Sequence, residues 1–288
     1  LVLWIFKPLQ LGGIIGGVAM ILHMAIPAFS VGSWTIITAL VVITIMLFGY
    51  YETVEKISLF FMGIFVLFTL IALFMVQKTG FAISLSDLGE GLAFQLPRET
   101  VGFALAAFGL TGVGGDEILS YNYWCIEKGY ARYSGPCCDK PEWKERARGW
   151  IRVMYLDAFL SMIVYTVVTA TFFVLGAAIL HRRGEIPEGY HMIETLSRIY
   201  TDSVGPAAKN IFLGGSFVVL FSTLFASLAI RTRVFSDLFG VVKWIDFDNL
   251  RVRFRTIRIL AIVFPVLWTI AFLVVKLPVL MVDRKSVV

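Results

Sequence analysis

The sequence predicts an all-α integral membrane protein, and three observations support that prediction. Apolar residues make up 58 % of the chain and charged residues 16 %, whereas a soluble domain has about 25 % charged residues. Several apolar runs reach the roughly 20 residues that an α-helix needs to cross a bilayer. None of these runs shows the alternation of apolar and polar residues that is typical of a transmembrane strand.

The apolar runs predict seven membrane-spanning helices in a single polytopic domain that covers residues 1–288. The fifth is long enough to tilt, and Pro265 predicts a kink in the seventh. Because the chain begins in an apolar run and ends soon after another, we expect it to be a fragment of a longer protein. The predicted spans are 11–27, 34–50, 57–76, 101–124, 153–180, 211–230 and 257–275.

Most of the basic residues lie in two connections, 125–152 and 231–258. The positive-inside rule places both connections in the cytoplasm, so the net charge of +5 reflects membrane orientation and indicates no nucleic-acid partner. Segment 141–150 is either an amphipathic helix on the inner leaflet, anchored by Trp143 and Trp150, or an ordinary solvated helix. We expect a multi-pass protein of a bacterial-type inner (plasma) membrane.

The fourth predicted span is interrupted by glycines and then by two adjacent carboxylates. A charged pair at membrane depth indicates a functional site, and transporters build ion sites from helices that break there. Carboxylate and carbonyl oxygens suit divalent cations such as Mg²⁺, Mn²⁺ and Ca²⁺. We therefore predict half of a cation site, although a helix N-cap at Asp116 is the structural alternative. Its residues are Gly112, Val113, Gly114, Gly115, Asp116 and Glu117.

Three further polar residues are candidates for the transport pathway. Asn122 is either a neutral oxygen ligand or a helix–helix hydrogen-bonding residue. Asp157 belongs either to a proton route or to an ion pair with Arg152, and His23 is a second candidate proton group or a residue satisfied by its neighbours. The chain has no Walker-type phosphate loop, and we expect no resident cofactor.

Four segments resemble the Nramp (natural resistance-associated macrophage protein) family: 48–56, 155–159, 214–226 and 233–237. The resemblance covers nearly the whole chain. It implies a LeuT-like inverted-repeat bundle of which this chain contains family helices three to nine. It also implies a secondary transporter, not an enzyme, whose substrate is a divalent metal ion and whose partners are protons and the lipid bilayer. The oligomeric state stays open.

The chain departs from the family at the broken helix. The family carries Met-Pro-His-Asn there, with a metal-binding sulfur, whereas this chain has Val113-Gly-Gly-Asp116. Soft sulfur favours later transition metals and carboxylates favour harder ions, so the chain resembles a divergent branch with a substrate of the Mn, Fe or Mg class. The family's partner motif, Asp-Pro-Gly-Asn, does not occur in this chain.

Three other functions are compatible with parts of the sequence. Loss of the metal-binding Met is compatible with a non-transporting sensor on the same scaffold. An amino-acid transporter of this architecture would use helix amides to hold a substrate carboxylate, which Asp116 and Glu117 would repel. An intramembrane aspartyl protease requires Gly-x-Gly-Asp, but Val113 occupies the first position of that motif.

Overall fold

The computed structural model describes residues 2–49, 51–93, 101–102, 105, 115–127, 129–185, 191–246 and 249–275. Every regular element in these ranges is helical. A 3₁₀ turn at Val76–Lys78 follows α3 and a π-helical turn at Ala177–His181 follows α7. The α-helices are α1 (Val2–Ala25), α2 (Val31–Phe48), α3 (Tyr51–Met75), α4 (Leu85–Leu92), α5 (Gly115–Glu127), α6 (Tyr130–Ser134), α7 (Pro141–Gly176), α8 (Met192–Ser203), α9 (Ala208–Val241) and α10 (Leu250–Val275).

Five helices in the described ranges are long and apolar enough to cross a membrane, and Leu9–Ala25 is a shorter apolar helix. The prediction of an all-helical, multi-pass membrane protein is therefore confirmed. The fourth predicted span falls largely on residues outside the described ranges, so the count of seven spans stays a prediction, as do the LeuT-like arrangement and the single domain. The five long candidates are Val31–Phe48, Thr53–Lys78, Pro141–His181, Ala208–Val241 and Leu250–Val275.

Three helices extend well beyond the spans that hydropathy predicted. Helix α7 begins at Pro141 rather than 153, α9 continues to Val241 rather than 230, and α10 begins at Leu250 rather than 257. All three extensions lie on the side predicted to be cytoplasmic. Hydropathy marks only the part of a helix inside the bilayer, whereas Arg, Lys and Glu are good helix formers that let the helix continue into water.

The chain divides into two compact units, Leu1–Ala82 with Val174–Val288, and Ile83–Phe173. The core of the first unit is an apolar cluster from α1, α2, α9 and α10. Its centre is Trp268, which is 1 % exposed and lies parallel to the ring of Phe264. The buried members are Leu11, Ile15, Ala39, Val42, Leu224, Phe225, Leu228, Leu260, Phe264, Trp268 and Phe272.

Glycines let the helices of this unit approach closely. A Cβ atom at Gly16 would lie 2.1 Å from the ring of Phe272, and one at Gly215 would lie 2.0 Å from the ring of Phe65. Helix association in a bilayer depends on close packing, because lipid is as apolar as the helix surfaces, and small residues provide that packing. Gly16 and Gly215 are therefore contact sites rather than flexible points.

Helix α8, in a connection predicted to lie outside the membrane spans, is fixed to the first unit by Tyr200. This residue is completely buried and stacks on Phe68, with 5.3 Å between ring centroids. Its hydroxyl lies 2.9 Å from Thr69 Oγ1. Since Thr69 gives its only proton to the Phe65 carbonyl at 2.8 Å, Tyr200 is the donor to Thr69. Burial raises the pKa of Tyr200.

Ion pairs add to this attachment. Arg183 pairs with Asp202 at 2.8 Å, and Arg198 pairs with Glu185. They join α8 to the segment that follows the π-helical turn, so the connection has its own ordered structure.

In the second unit, α6 packs on the first turns of α7. Trp150 stacks on Tyr133 with 5.0 Å between centroids, and Trp143 donates through Nε1 to the Gly135 carbonyl at 3.2 Å. Residues 141–150 are thus the beginning of α7, and both tryptophans contact α6 or the turn after it. These contacts leave both rings only half-buried, so the inner-leaflet amphipathic helix and the ordinary solvated helix both stay predictions.

Candidate metal-binding site at the start of helix α5

The two adjacent carboxylates lie in the first turn of a helix. Helix α5 begins at Gly115, which places Asp116 and Glu117 at its second and third positions. By this boundary Asp116 lies inside the helix rather than at its N-cap. The first turn of a helix has a partial positive charge, so a carboxylate is electrostatically favourable there. The structure describes the backbone of these two residues but not their side chains.

The glycine-rich part of the predicted site lies outside the described residues. This applies to Gly112, Val113 and Gly114 and to the predicted interruption of the fourth span. Residues 101, 102 and 105 are helical, and so is the chain from Gly115 onward. The break between them, and the convergence of its carbonyl groups on a cation, stay predictions.

Asn122 lies on the exposed face of α5. It follows Ile118 by one turn and precedes Ile126 by one turn, and these two residues are 63 % and 61 % exposed. Within the described part of the chain, the Asn122 side chain makes no hydrogen bond. A role as a hydrogen-bonding residue between described helices is therefore not observed, and its amide oxygen is available to a ligand.

A neighbouring side of α5, about 100° around the helix from Asn122, contacts α7 through Tyr121. Its hydroxyl lies 3.0 Å from the Met154 carbonyl oxygen and 3.3 Å from Asp157 Oδ2. Cys125, one turn further along, is buried and has a free thiol. Asp157 thus accepts a hydrogen bond from Tyr121, whereas the proposed ion pair of Asp157 with Arg152 is not formed.

Sequence reasoning missed the contact between Tyr121 and Asp157. Both residues lie near the inner ends of successive predicted spans, and similar membrane depth is the signal that could have paired them. Glu117 lies one helical turn before Tyr121. The predicted site residue Glu117 is therefore one turn away from Tyr121, whose hydroxyl contacts the predicted proton-route residue Asp157 on α7.

His23 lies in the first unit, near the end of α1. Its Nδ1 atom is 2.8 Å from the Phe29 carbonyl oxygen. Since a carbonyl can only accept, Nδ1 carries a proton in this arrangement. His23 is thus hydrogen-bonded to the turn that joins α1 to α2, which agrees with the alternative that its neighbours satisfy it. Its role in proton movement stays a prediction.

Across the residues with described side chains, no three His, Cys, Asp or Glu groups come together to hold a metal ion. Asp116 and Glu117 are not among those side chains. The carboxylates of α5 thus remain the candidate ligands by position in the chain, together with the exposed amide of Asn122.

The family model for natural resistance-associated macrophage protein-like sequences matches residues 9–283. No curated protein and no solved structure gives a significant match. The family match covers all the helices that the structure describes from the middle of α1 to the end of α10, in agreement with the resemblance seen in the four sequence segments. The chain therefore belongs to the Nramp family, whose members are divalent-metal transporters and not enzymes.

Proposed function

We propose that this protein is a secondary transporter that moves a divalent cation together with protons, and that the start of α5 provides half of its ion site. Membership of the family supports divalent-metal transport. The position of Asp116 and Glu117 in the first turn of α5 is the observation that supports the location. The substrate belongs to the Mn, Fe or Mg class, and the host membrane is a bacterial-type plasma membrane.

The residues present favour the harder cations of that class. In the segment where the family carries Met-Pro-His-Asn, Val113 takes the position of the metal-binding methionine and Asp116 that of the asparagine, so this segment loses a sulfur and gains a carboxylate. Oxygen ligands suit Mg²⁺ and Mn²⁺, while thioether sulfur suits softer ions. The amide oxygen of Asn122, which is exposed and makes no hydrogen bond to the described residues, is a neutral ligand of the same hard type.

Of the two carboxylates at the start of α5, Asp116 would bind the cation and Glu117 would accept a proton. Asp157 accepts the Tyr121 hydroxyl at 3.3 Å, and Glu117 lies one turn before Tyr121 on the same helix. The Tyr121 hydroxyl thus connects the helix that carries Glu117 to the Asp157 carboxyl on α7. We therefore assign Glu117 and Asp157 to the proton route, with His23 as the other candidate proton group.

Metal uptake into proteoliposomes containing the full-length parent protein tests this proposal. Mn²⁺ and Mg²⁺ uptake would be compared for the wild type, Asp116→Asn and Glu117→Gln, with Glu145→Gln as the control. Glu145 is exposed on the first turns of α7 and makes no ion pair within the described residues. Loss of a residue that merely supports a ligand lowers metal affinity about 10- to 100-fold, so loss of the Asp116 ligand should reduce uptake at least as much.

The outcomes separate the parts of the proposal. Unchanged uptake by Asp116→Asn would refute the site while leaving the transport function intact. Uptake that persists undiminished when an ionophore removes the pH gradient would refute proton coupling. If the wild type accumulates neither metal, transport is refuted and the sensor becomes the better explanation; accumulation of a neutral amino acid would instead identify the amino-acid transporter.

A further inference from the structure

Three arginines lie on one face at the beginning of α10. Arg251, Arg255 and Arg258 are separated by four and three residues, the spacing that aligns side chains along a helix, and all three are exposed. They belong to the connection that the positive-inside rule places in the cytoplasm. The face they form is therefore at the inner end of a membrane-spanning helix.

The same face continues as an apolar stripe. Ile262, Val266 and Ile270 follow at helical spacing and are 44 %, 43 % and 51 % exposed. The other side of α10 carries Phe264 and Trp268, which are buried in the core of the first unit. The stripe thus points away from the protein core, where lipid acyl chains would contact it, and Arg258 precedes Ile262 by one turn, or about 6 Å along the axis.

The three guanidinium groups have no partner in the described part of the chain. None of them makes a hydrogen bond or an ion pair there. By contrast Arg253, on another side of the same helix, binds Asp237 through Nε at 3.0 Å and Nη2 at 2.8 Å. Among the described residues, the arginine that faces α9 thus has a counter-charge, whereas the three arginines of the outer face have none.

The position of these arginines in the helix makes an anion still more favourable. They occupy the first turns of α10, whose first turn contains no acidic residue. The first turn of a helix has a partial positive charge, so Arg251 is unfavourable there unless an anion is present, and Arg255 and Arg258 add like charge further along the same face. Three arginines and the helix dipole together create a strongly positive point at the inner membrane surface.

We infer that Arg251, Arg255 and Arg258 bind the phosphate group of an anionic phospholipid in the cytoplasmic leaflet, with its acyl chains along Ile262, Val266 and Ile270. Arginine is suited to this because its planar guanidinium donates two parallel hydrogen bonds to phosphate oxygens. A free phosphate would satisfy the arginines only. A phospholipid satisfies both halves of the face, since its charged group and its chains are separated in the same way as the arginines and the stripe.

Native mass spectrometry of the intact protein in detergent tests this inference. Retention of phosphatidylglycerol would be compared with retention of phosphatidylcholine carrying the same acyl chains. The test variant replaces Arg251, Arg255 and Arg258 with Gln. The control variant replaces Lys144, Arg148 and Arg152 with Gln, which removes the same charge from the other basic connection.

Each basic residue near an anionic membrane surface contributes about a fivefold gain in binding. The triple α10 variant should therefore bind phosphatidylglycerol at least about twentyfold more weakly, with phosphatidylcholine unchanged. The control variant should lose much less, because its three residues do not adjoin the apolar stripe of α10. Replacement of the three residues by Lys keeps the charge but removes the paired hydrogen bonds, so it should give an intermediate loss of phosphatidylglycerol binding. The Lys variant also takes the place of the Gln variant if the latter does not fold.

Three results would overturn the inference. An equal loss in both triple variants would mean that the lipid responds to overall charge rather than to this face. Equal retention of the two lipids by the wild type would mean that no anion site exists. Displacement of phosphatidylglycerol by millimolar inorganic phosphate would show that the arginines bind the phosphate alone and that the apolar stripe plays no part.

Discussion

Gly215 and Gly214 are adjacent on α9 but differ in their surroundings, and this difference predicts the effect of adding one methyl group. A Cβ at Gly215 would lie 2.0, 2.5 and 2.6 Å from three ring carbons of Phe65, whereas a Cβ at Gly214 would meet nothing within 4 Å. Phe65 is itself only 7 % exposed and packs on Tyr200 and Phe212. Its ring therefore has little room to move away.

The pair of variants isolates the steric effect. Replacing Gly by Ala inside a helix stabilises it by about 1 kcal/mol through helix propensity, and this contribution should be similar in Gly214→Ala and Gly215→Ala. Overpacking costs about 1–3 kcal/mol and applies to Gly215→Ala alone. We expect the free energy of unfolding to be lower in Gly215→Ala than in Gly214→Ala by about 1–3 kcal/mol, measured by denaturant titration in detergent.

A double-mutant cycle tests whether Phe65 is the cause. In a Phe65→Ala background the ring is absent, so the difference between Gly215→Ala and Gly214→Ala should disappear. The coupling energy would then equal the whole steric penalty. Equal stabilities of the two glycine variants in the wild-type background, or a penalty that persists without the Phe65 ring, would refute the packing described for α3 against α9.

Two other features of the first unit give direct predictions. Tyr200→Phe should lower the free energy of unfolding by about 1 kcal/mol, because the hydrogen bond to Thr69 is lost. Burial raises the pKa of Tyr200, so the unfolded chain loses the Tyr200 hydroxyl proton before the folded chain does as the pH rises above about 10. The free energy of unfolding of the wild type should therefore fall above that pH. Measured over the same pH range, it should fall less steeply in Tyr200→Phe. Arg253→Gln should lower stability by up to about 1 kcal/mol at low salt by breaking the pair with Asp237. Arg148→Gln, which removes an exposed arginine that makes no ion pair within the described residues, should leave the melting temperature unchanged.

The sequence predicted where the helices lie far better than where they end. Hydropathy located the membrane part of α7, α9 and α10, but it carries no information on a helix that continues into water. Residues such as Lys144 and Arg146 lower the hydropathy of α7 and are at the same time good helix formers. The helix boundary and the membrane boundary are set by different properties of the chain, and only the second can be read from apolar content.

Helix α8 was missed for a related reason. It is short and polar on one side, so it has no membrane-span signal, and it is held by long-range contacts that a sequence does not display. The hydroxyl of Tyr200 meets Thr69 across 131 positions of sequence. Neither residue is unusual in its local context, so the contact becomes visible only once the fold brings α3 and α8 together.

The candidate site was predictable in its chemistry but not in its partners. Asp116 and Glu117 stood out because carboxylates are costly at membrane depth. The hydrogen bond of Tyr121 to Asp157 did not, because a tyrosine near a membrane interface is common and nothing in the local sequence selects Asp157 over Arg152 as its neighbour. Local sequence identifies unusual residues, and the fold decides which of them meet.

The helix dipole bears on the two proposals in opposite ways. At the start of α5 it stabilises Asp116 and Glu117 without any cation, so their position alone does not require a metal. The proposed metal site rests on the family and on the predicted depth of the two carboxylates in the membrane. A cation bound there must outcompete the dipole, so it depends on further oxygen ligands from other helices. At the start of α10 the dipole opposes Arg251, and Arg255 and Arg258 add like charge on the same face, so a bound anion would be stabilised there. The charges on α10 are thus explained by a ligand outside the protein, whereas those on α5 need a ligand only once the rest of the site is assembled around them.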